Sequence, residues 1–311
     1  MPNSYSGIFN TLAASFNRAS LAKGGKNALI TAVTRDFSPE VAAPFQVINT
    51  NIMGSTGSAT SFTPGTTTLT LSDVTIGPGA VTLNQFPTYG VLLPSGDISR
   101  SSSSFVDKIR DECIKKIGDS INGTLAGLIT TGNFDSYSVV ASGEDTVADT
   151  AITEAWFNLA NNDIPVGDLG DVFLITHPKV YSNLLDNQKW TQAQFIGDQL
   201  ADKVRQTAML GTQWGAFCDW DPDMPTTTGG TTTPTRYYSM LMHRHAIALV
   251  TRALARPLDT GVPTAYFDYK GISIRATIAW NNLKRADELV MDAMFGVAVV
   301  RKDHGCLMLS T

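Results

Sequence analysis

The chain has 311 residues, 43% of them hydrophobic, which is enough for one large domain or two modest ones with a substantial core. Charged residues make up only 16%, against roughly 25% in ordinary soluble domains, so the surface suits being covered better than standing free in water. The net charge is −5 and no Lys/Arg run exceeds two residues, which excludes the basic footprint of a nucleic-acid reader.

Residues 1–26 mix small, polar and aromatic residues and predict an extended or partly helical arm. An apolar run, Ala28-Leu29-Ile30 with Val33, follows and is closed by Pro39 and Pro44. The stretch from Phe45 to Leu93 holds a single charged residue, Asp73, among Ser, Thr, Gly, Asn and β-favouring apolar residues. It predicts a long β arm. Phe45–Asn49 runs out, and Thr66–Leu71 and Ala80–Leu83 return, with turns at Gly54–Gly57 and Pro64-Gly65 and a break at Gly77-Pro78-Gly79. Such an arm cannot easily stand alone. Ordering about fifty residues costs on the order of 50–100 kcal/mol, and an isolated hairpin is marginal in water. Packing on other subunits is the simplest remedy, so Phe45, Val47, Ile48, Phe62, Leu69 and Leu71 are the candidate subunit-interface residues.

Ser101–Ser104 offers N-cap candidates for a helix predicted from Phe105 to about Thr131. Val106, Ile109, Cys113, Ile117, Ile121, Leu125 and Leu128 recur at spacings of three and four and form one apolar stripe. Asp111 with Lys115, and Glu112 with Lys116, are favourable pairs on the other face. Gly118, Gly123 and Gly127 weaken the helix and suggest close approach of another backbone.

Glu144–Asp149 is an acidic candidate boundary, after which the pattern becomes α/β. Helix is predicted over Ile152–Asn161 with Ile152, Trp156 and Leu159 inward, over Pro178–Leu185, and over Phe195–Arg205. Asp171–Thr176 and Trp214–Cys218 read as strands, Thr226–Thr235 as a loop tip, and Tyr237–Val250 as one strand region. The tail is β again: Ala265–Asp268, Ile272–Ala279, Leu289–Met294 and Phe295–Arg301, then a turn at Lys302–Gly305 into Cys306–Leu309.

The search for chemistry yields no catalytic residue. His243-Arg244-His245 is the best metal candidate, because alternate strand residues point the same way, but it lacks a third ligand nearby in sequence. Asp219, Asp221 and Asp223 alternate like a calcium loop, yet Pro222 and Met224 interrupt them and Gly230 stands where a bidentate Glu belongs, so they read as an exposed acidic loop. Ser20-Leu-Ala-Lys23 matches a penicillin-binding pattern without its companion elements, and Gly24-Gly25-Lys26 lacks the rest of a phosphate loop. Asn122-Gly-Thr124 is a glycosylation sequon only in a secreted protein. No apolar run approaches the ~20 residues of a membrane helix. The odd, scattered Cys113, Cys218 and Cys306 fit a reducing, cytosolic folding site. The expectation is therefore no enzyme, no cofactor and no metal.

The order of elements carries a family likeness. The low-charge arm at Phe45–Leu93, the helix at Phe105–Thr131, the Asp171–Leu185 strand-then-helix passage, and Phe295-Gly-Val-Ala-Val-Val-Arg301 before a short final strand are its cues. The chain resembles the major capsid protein of tailed phages with the HK97-type fold, an α+β architecture. The resemblance implies an N-terminal arm at 1–44, an extended β loop at 45–93, a peripheral domain from 94–149 and 264–311 with a spine helix at 105–131, and an axial domain at 150–263. It also implies a virion subunit, assembled in the host cytoplasm, that forms pentamers and hexamers and walls in double-stranded DNA without reading its sequence. Its main partner would be further copies of itself, together with a portal. The chain shows neither a charged helical scaffolding segment nor a pro-segment, so a separate scaffolding protein is expected; decoration proteins stay open. The other readings are a β-rich decoration or adhesion module, or an enzyme using His243 and His245.

Overall fold

The computed structural model describes residues 28–33, 35–36, 47–53, 76–94, 103–138, 149–162, 164, 171–192, 196–227, 235–257, 262–269 and 272–310. The predicted strand at Thr66–Leu71, the turns at Gly54–Gly57 and Pro64-Gly65, and the Ser20–Lys26 motifs lie outside them. In chain order the elements are helix α1 (Ala28–Val33), strands β1 (Arg35–Asp36), β2 (Val47–Met53), β3 (Ile76–Thr82) and β4 (Thr88–Pro94), and the long helix α2 (Ser103–Ala126). Then come β5 (Asp135–Ser138), α3 (Asp149–Asn161), β6 (Val172–Thr176), α4 (Pro178–Asp186), α5 (Gln188–Thr191), α6 (Asp198–Thr207), β7 (Gly211–Gln213), β8 (Ala216–Trp220) and β9 (Thr226–Thr227). The chain continues through β10 (Arg236–His243), β11 (Ile247–Arg252), β12 (Thr264–Tyr269), β13 (Ile272–Asn281), β14 (Ala286–Val299), a 3-10 turn at Lys302–His304, and β15 (Gly305–Ser310).

Helix α2 forms where the apolar stripe predicts it. Cys113, Ile117, Ile121 and Leu125 are buried, joined by Ile114, and Ile109 and Leu128 pack against the same core. Glu112 and Lys116 pair across one turn at 3.7 Å on the solvent side. The helix stops earlier than its periodicity suggests. The Gly127 amide makes the last i→i−4 bond, to Gly123, and Leu128 and Ile129 donate three residues back, tightening the chain out of the helix. Gly123 and Gly127 do not admit a neighbouring backbone: nothing lies within 4 Å of a Cβ placed on Gly123, and one on Gly127 would meet only carbonyls of its own helix.

Among the described residues the strands form two large sheets and a ribbon. The first sheet has the order β1-β11-β14-β13-β12, with β4 also pairing β14. Leu289–Arg301, expected as two strands, instead lies within or just beyond the single 14-residue strand β14. Its first part, Ala286–Ala293, pairs β13, and its later part, Met294–Val299, pairs β11. Because the partner changes at Met294, local sequence shows a break where the backbone has none. The second sheet has the order β5-β15-β10-β6-β8-β7, with β9 on β10. The predicted Tyr237–Val250 strand divides, β10 joining the second sheet and β11 the first.

The second sheet is covered on both faces, which is why β6 reads as an unbroken apolar run. Phe173, Ile175, Met240, Met242 and Leu307 face a core shared with α1, α2 and the first sheet, which contributes Ile274, Leu289, Met291 and Phe295. Val172, Leu174, Leu241, Cys306 and Met308 face the opposite way, onto Ala155, Leu159, Val180, Leu184 and Val204. On α3 the inward face is Ile152, Ala155 and Leu159; Trp156, expected inward, is 41% exposed because it lies off that row. Helix α6 covers Asp198–Thr207 of the expected Phe195–Arg205 stretch, whose first residue lies outside the described residues, and Trp214 belongs to a turn rather than a strand, with left-handed backbone at Trp214 (φ 55°) and Gly215 (φ 77°).

Each buried stripe residue of α2 contributes roughly 1.5–3 kcal/mol, and the stripe lies in the core shared by both sheets. Replacing Ile117, 1% exposed, with Asp should destabilise the subunit by several kcal/mol. Thermal unfolding checks this; an unchanged midpoint would show that the stripe does not carry the fold.

Candidate assembly surfaces and interior polar clusters

Two of the candidate interface residues fall on the ribbon. Val47 and Ile48 sit on β2, opposite Thr82 and Val81 of β3. Phe45, Phe62, Leu69 and Leu71 lie outside the described residues. Strands β2 and β3 pair antiparallel from Val47–Thr82 to Met53–Ile76, and among the described residues they pair with no other strand. Gly77-Pro78-Gly79, expected to break the returning strand, runs inside β3. Both strands of a two-stranded ribbon are edges, so a proline without its N–H is tolerated there.

The root of the ribbon is fastened to β14. Val81 and Leu83 are fully buried in a small cluster with Ala248, Val250 and Met294. Gln85 and Phe295 exchange backbone hydrogen bonds of 3.0 Å in both directions. Between these contacts the backbone of Thr82–Leu83 crosses Gly296 so closely that a Cβ there would stand about 2.8 Å from the Thr82 carbonyl carbon and nearer still to its oxygen. Sequence reasoning missed this contact, although a lone glycine inside the apolar run Phe295–Val300 was its visible signal.

Several large apolar side chains face solvent, among them Leu283 (97% exposed), Phe157 (61%) and Trp214 (44%). Leu283 crowns the β13–β14 hairpin. The Asn281 side-chain oxygen accepts from the Leu283 and Lys284 amides at 3.0 and 3.1 Å, and its amide group donates to Glu288 at 2.8 Å. The indole of Trp214 stacks at 5.2 Å on the buried Trp190.

The acidic trio is not an exposed loop. Asp221 is 0% exposed and accepts three hydrogen bonds. They come from the Asn122 side chain on α2 at 2.8 Å, the Asp223 amide at 2.9 Å and the Leu29 amide of α1 at 3.3 Å. Asn122, also 0% exposed, further donates to Asp223 at 2.9 Å. The cluster thus ties α1, α2 and the loop after β8 together, and it buries the asparagine of the sequon. Burial pushes the Asp221 carboxyl above the usual carboxylate range, and its three donors pull it partly back.

The third histidine missing from the sequence pattern comes from the far end of β14. The His304 ring lies 5.5 Å from that of His243, which in turn lies 4.8 Å from that of His245. No group of three or more His, Cys, Asp or Glu side chains among the described residues is arranged to hold a metal ion. The three cysteines are buried and form no disulfide. Burial raises the Cys113 thiol to about 11 and the Cys218 thiol to about 12, so neither is a ready nucleophile. No helix among the described residues is long and apolar enough to cross a membrane.

Two substitutions test these contacts. Gly296→Ala should cost about 1–3 kcal/mol, since the clash is with backbone and cannot be relieved by a rotamer change; an unaltered unfolding midpoint would refute the crossing. Asn122→Ala should cost about 1–3 kcal/mol near neutral pH by depriving a buried carboxylate of a donor. Because that donor favours ionised Asp221, the loss should shrink as pH falls through the raised Asp221 pKa. Unfolding of both proteins at pH 7.5 and in mild acid gives the comparison, and a pH-independent difference would contradict the assignment.

No family model matches the chain, and no curated protein matches it in sequence. Its solved structural neighbours are distant in sequence but nearly coextensive. A structure from Mycobacterium phage Che8 superposes with a TM-score of 0.65 at 12% identity, covering 92% of each chain. The capsid of Cyanophage P-SCSP1u gives 0.64 at 12% identity, covering 94% of this chain and 90% of the other. The virus-like particle of Pyrococcus furiosus gives 0.51 at 9% identity, covering 97% and 99%. A mixed helix-and-sheet chain with this element order, matched end to end by such structures, has the HK97-type capsid fold.

Proposed function

We propose that this chain is the major capsid protein of a tailed phage. In this reading it self-assembles into pentamers and hexamers that close an icosahedral shell around double-stranded DNA. The supporting observation is the nearly complete, two-way coverage by phage shell structures, 94% of this chain and 90% of the other for the cyanophage capsid. A low-charge wall with net charge −5 confines DNA without reading it. A second reading is an encapsulin-type compartment, because the chain also covers 94% of itself and 93% of the SrpI encapsulin of Synechococcus elongatus at a TM-score of 0.50. The higher scores of the phage structures favour the first reading.

On this proposal the ribbon of β2 and β3 is the base of the extended loop at 45–93, which lies over a neighbouring subunit through Phe45, Val47, Ile48, Phe62, Leu69 and Leu71. Residues 1–44 are the arm that reaches across adjacent subunits. Residues 94–149 and 264–311 make the peripheral domain, with α2 as its spine, and 150–263 make the axial domain. The two exchange strands: β11 pairs β14 in the first sheet, and β5 and β15 join β10 in the second. A portal and a separate scaffolding protein complete the assembly partners, and assembly takes place in the host cytoplasm.

Co-expression with neighbouring genes, followed by negative-stain electron microscopy, tests the proposal. Closed polyhedral shells are expected, and DNA-filled particles separate a phage capsid from a compartment. A monomer under every combination would overturn it. Deleting residues 54–64 should leave a folded subunit that closes no shells; normal shells would show the arm to be dispensable.

A further inference from the structure

The chain passes between the two sheets at two neighbouring places. Strand β10 leaves the second sheet through His243–Ala246 and becomes β11 of the first. Strand β14 leaves the first sheet through the Lys302–His304 turn and becomes β15 of the second. The passages are bonded to each other, with the Val300 and Arg301 amides both donating to the Ala246 carbonyl at 2.9 and 3.2 Å. We propose that the histidines gathered here, His243, His245 and His304, make this joint between the sheets acid-sensitive, closed when neutral and loosened when protonated.

The hydrogen bonds fix which nitrogens must stay unprotonated. Arg301 Nη1 lies 3.2 Å from His304 Nε2. A guanidinium only donates, so Nε2 accepts and the ring's proton sits on Nδ1. The His245 amide lies 3.3 Å from His243 Nδ1, and an amide likewise only donates. A proton on either accepting nitrogen therefore abolishes a bond that spans a turn, and on His304 it also sets a cation against Arg301. His243 is only 4% exposed, so water gives a charge there little relief.

The charged surroundings oppose protonation on balance. On the same turn stand Arg301, Lys302 and Asp303, and on the facing turn Arg244, which is bound at 3.0 Å to Asp171 just before β6. From the end of α3, Asn162 contributes only a neutral bond, to the Asp303 carbonyl. Asp303 is the single group acting to raise the His304 pKa; burial, Arg301 and the two other histidines lower it to about 4. An unfolded chain regains the ordinary value of 6.5. The folded joint is thus undisturbed above pH 6.5, and acid favours its opening progressively as pH falls from there towards 4.

The test is hydrogen exchange on the full chain, read at the bonded amides of Arg244, Ala246, Val300 and Arg301 and corrected for chemical exchange rates. In the wild type, opening should increase several-fold from pH 7.5 to pH 5. In His304→Gln, whose side-chain oxygen still accepts from Arg301 but cannot titrate, most of that increase should vanish. An equal increase in both proteins overturns the proposal. The chain has only four histidines, so ring proton NMR gives a second reading that needs no histidine variant. The ring whose signal moves in Arg301→Gln should titrate far below 6.5 in the wild type and closer to 6.5 in that variant; an ordinary titration in the wild type also overturns it.

Discussion

Everything else in this molecule leans on one helix packing against two sheets at once. The buried stripe from Cys113 to Leu125 shares a single core with β13 and β14 on one side and β6, β10 and β15 on the other. Remove that stripe and each sheet loses the apolar surface that covers it. Asn122 adds a polar fix to the same helix, since its bond to Asp221 sets the helix's rotation relative to the second sheet and, through the Leu29 amide, the seat of α1. Apolar packing supplies most of the attraction here, while the buried polar bonds select one arrangement among those that packing alone would permit.

The ribbon depends on this body in a different way. Its two strands are hydrogen-bonded to no other strand among the described residues, so its placement comes from the root. There Val81 and Leu83 are sunk into the cluster with Val250 and Met294, and Gly296 permits the backbone to cross. A weakly self-supporting arm on a rigid root fits the shell reading, because a projecting ribbon is useful where another subunit lies beneath it.

Much of this was legible in the sequence. The three-and-four spacing of α2 and the apolar run of β6 were read directly, because burial on one face or on both leaves a periodic trace. The errors share a cause: they lie where distant chain decides. Met294 lies inside β14, but its neighbours change there from β13 to β11, which no local pattern reports. Pro78 looked like a strand breaker because its ladder is a free-edged ribbon. Asp221 looked exposed because its donors, Asn122 and Leu29, are remote in sequence. His304 joined His243 only through the return of β14 towards the second sheet. The candidate interface was legible only as composition, a stretch too poor in charge to be left bare.

The position of β15 bears on when this fold can exist. Residues 305–310 form an inner strand of the second sheet, between β5 and β10, and residues 305–309 are buried. Until that late segment has been synthesised, β5 has no neighbour to join and one edge of β10 is unpaired. The sheet is therefore completed by contacts of long sequence separation, which close slowly. A chain lacking residues 305–310 would leave that edge of β10 open, and an unpaired strand edge is a site of premature association between incomplete chains.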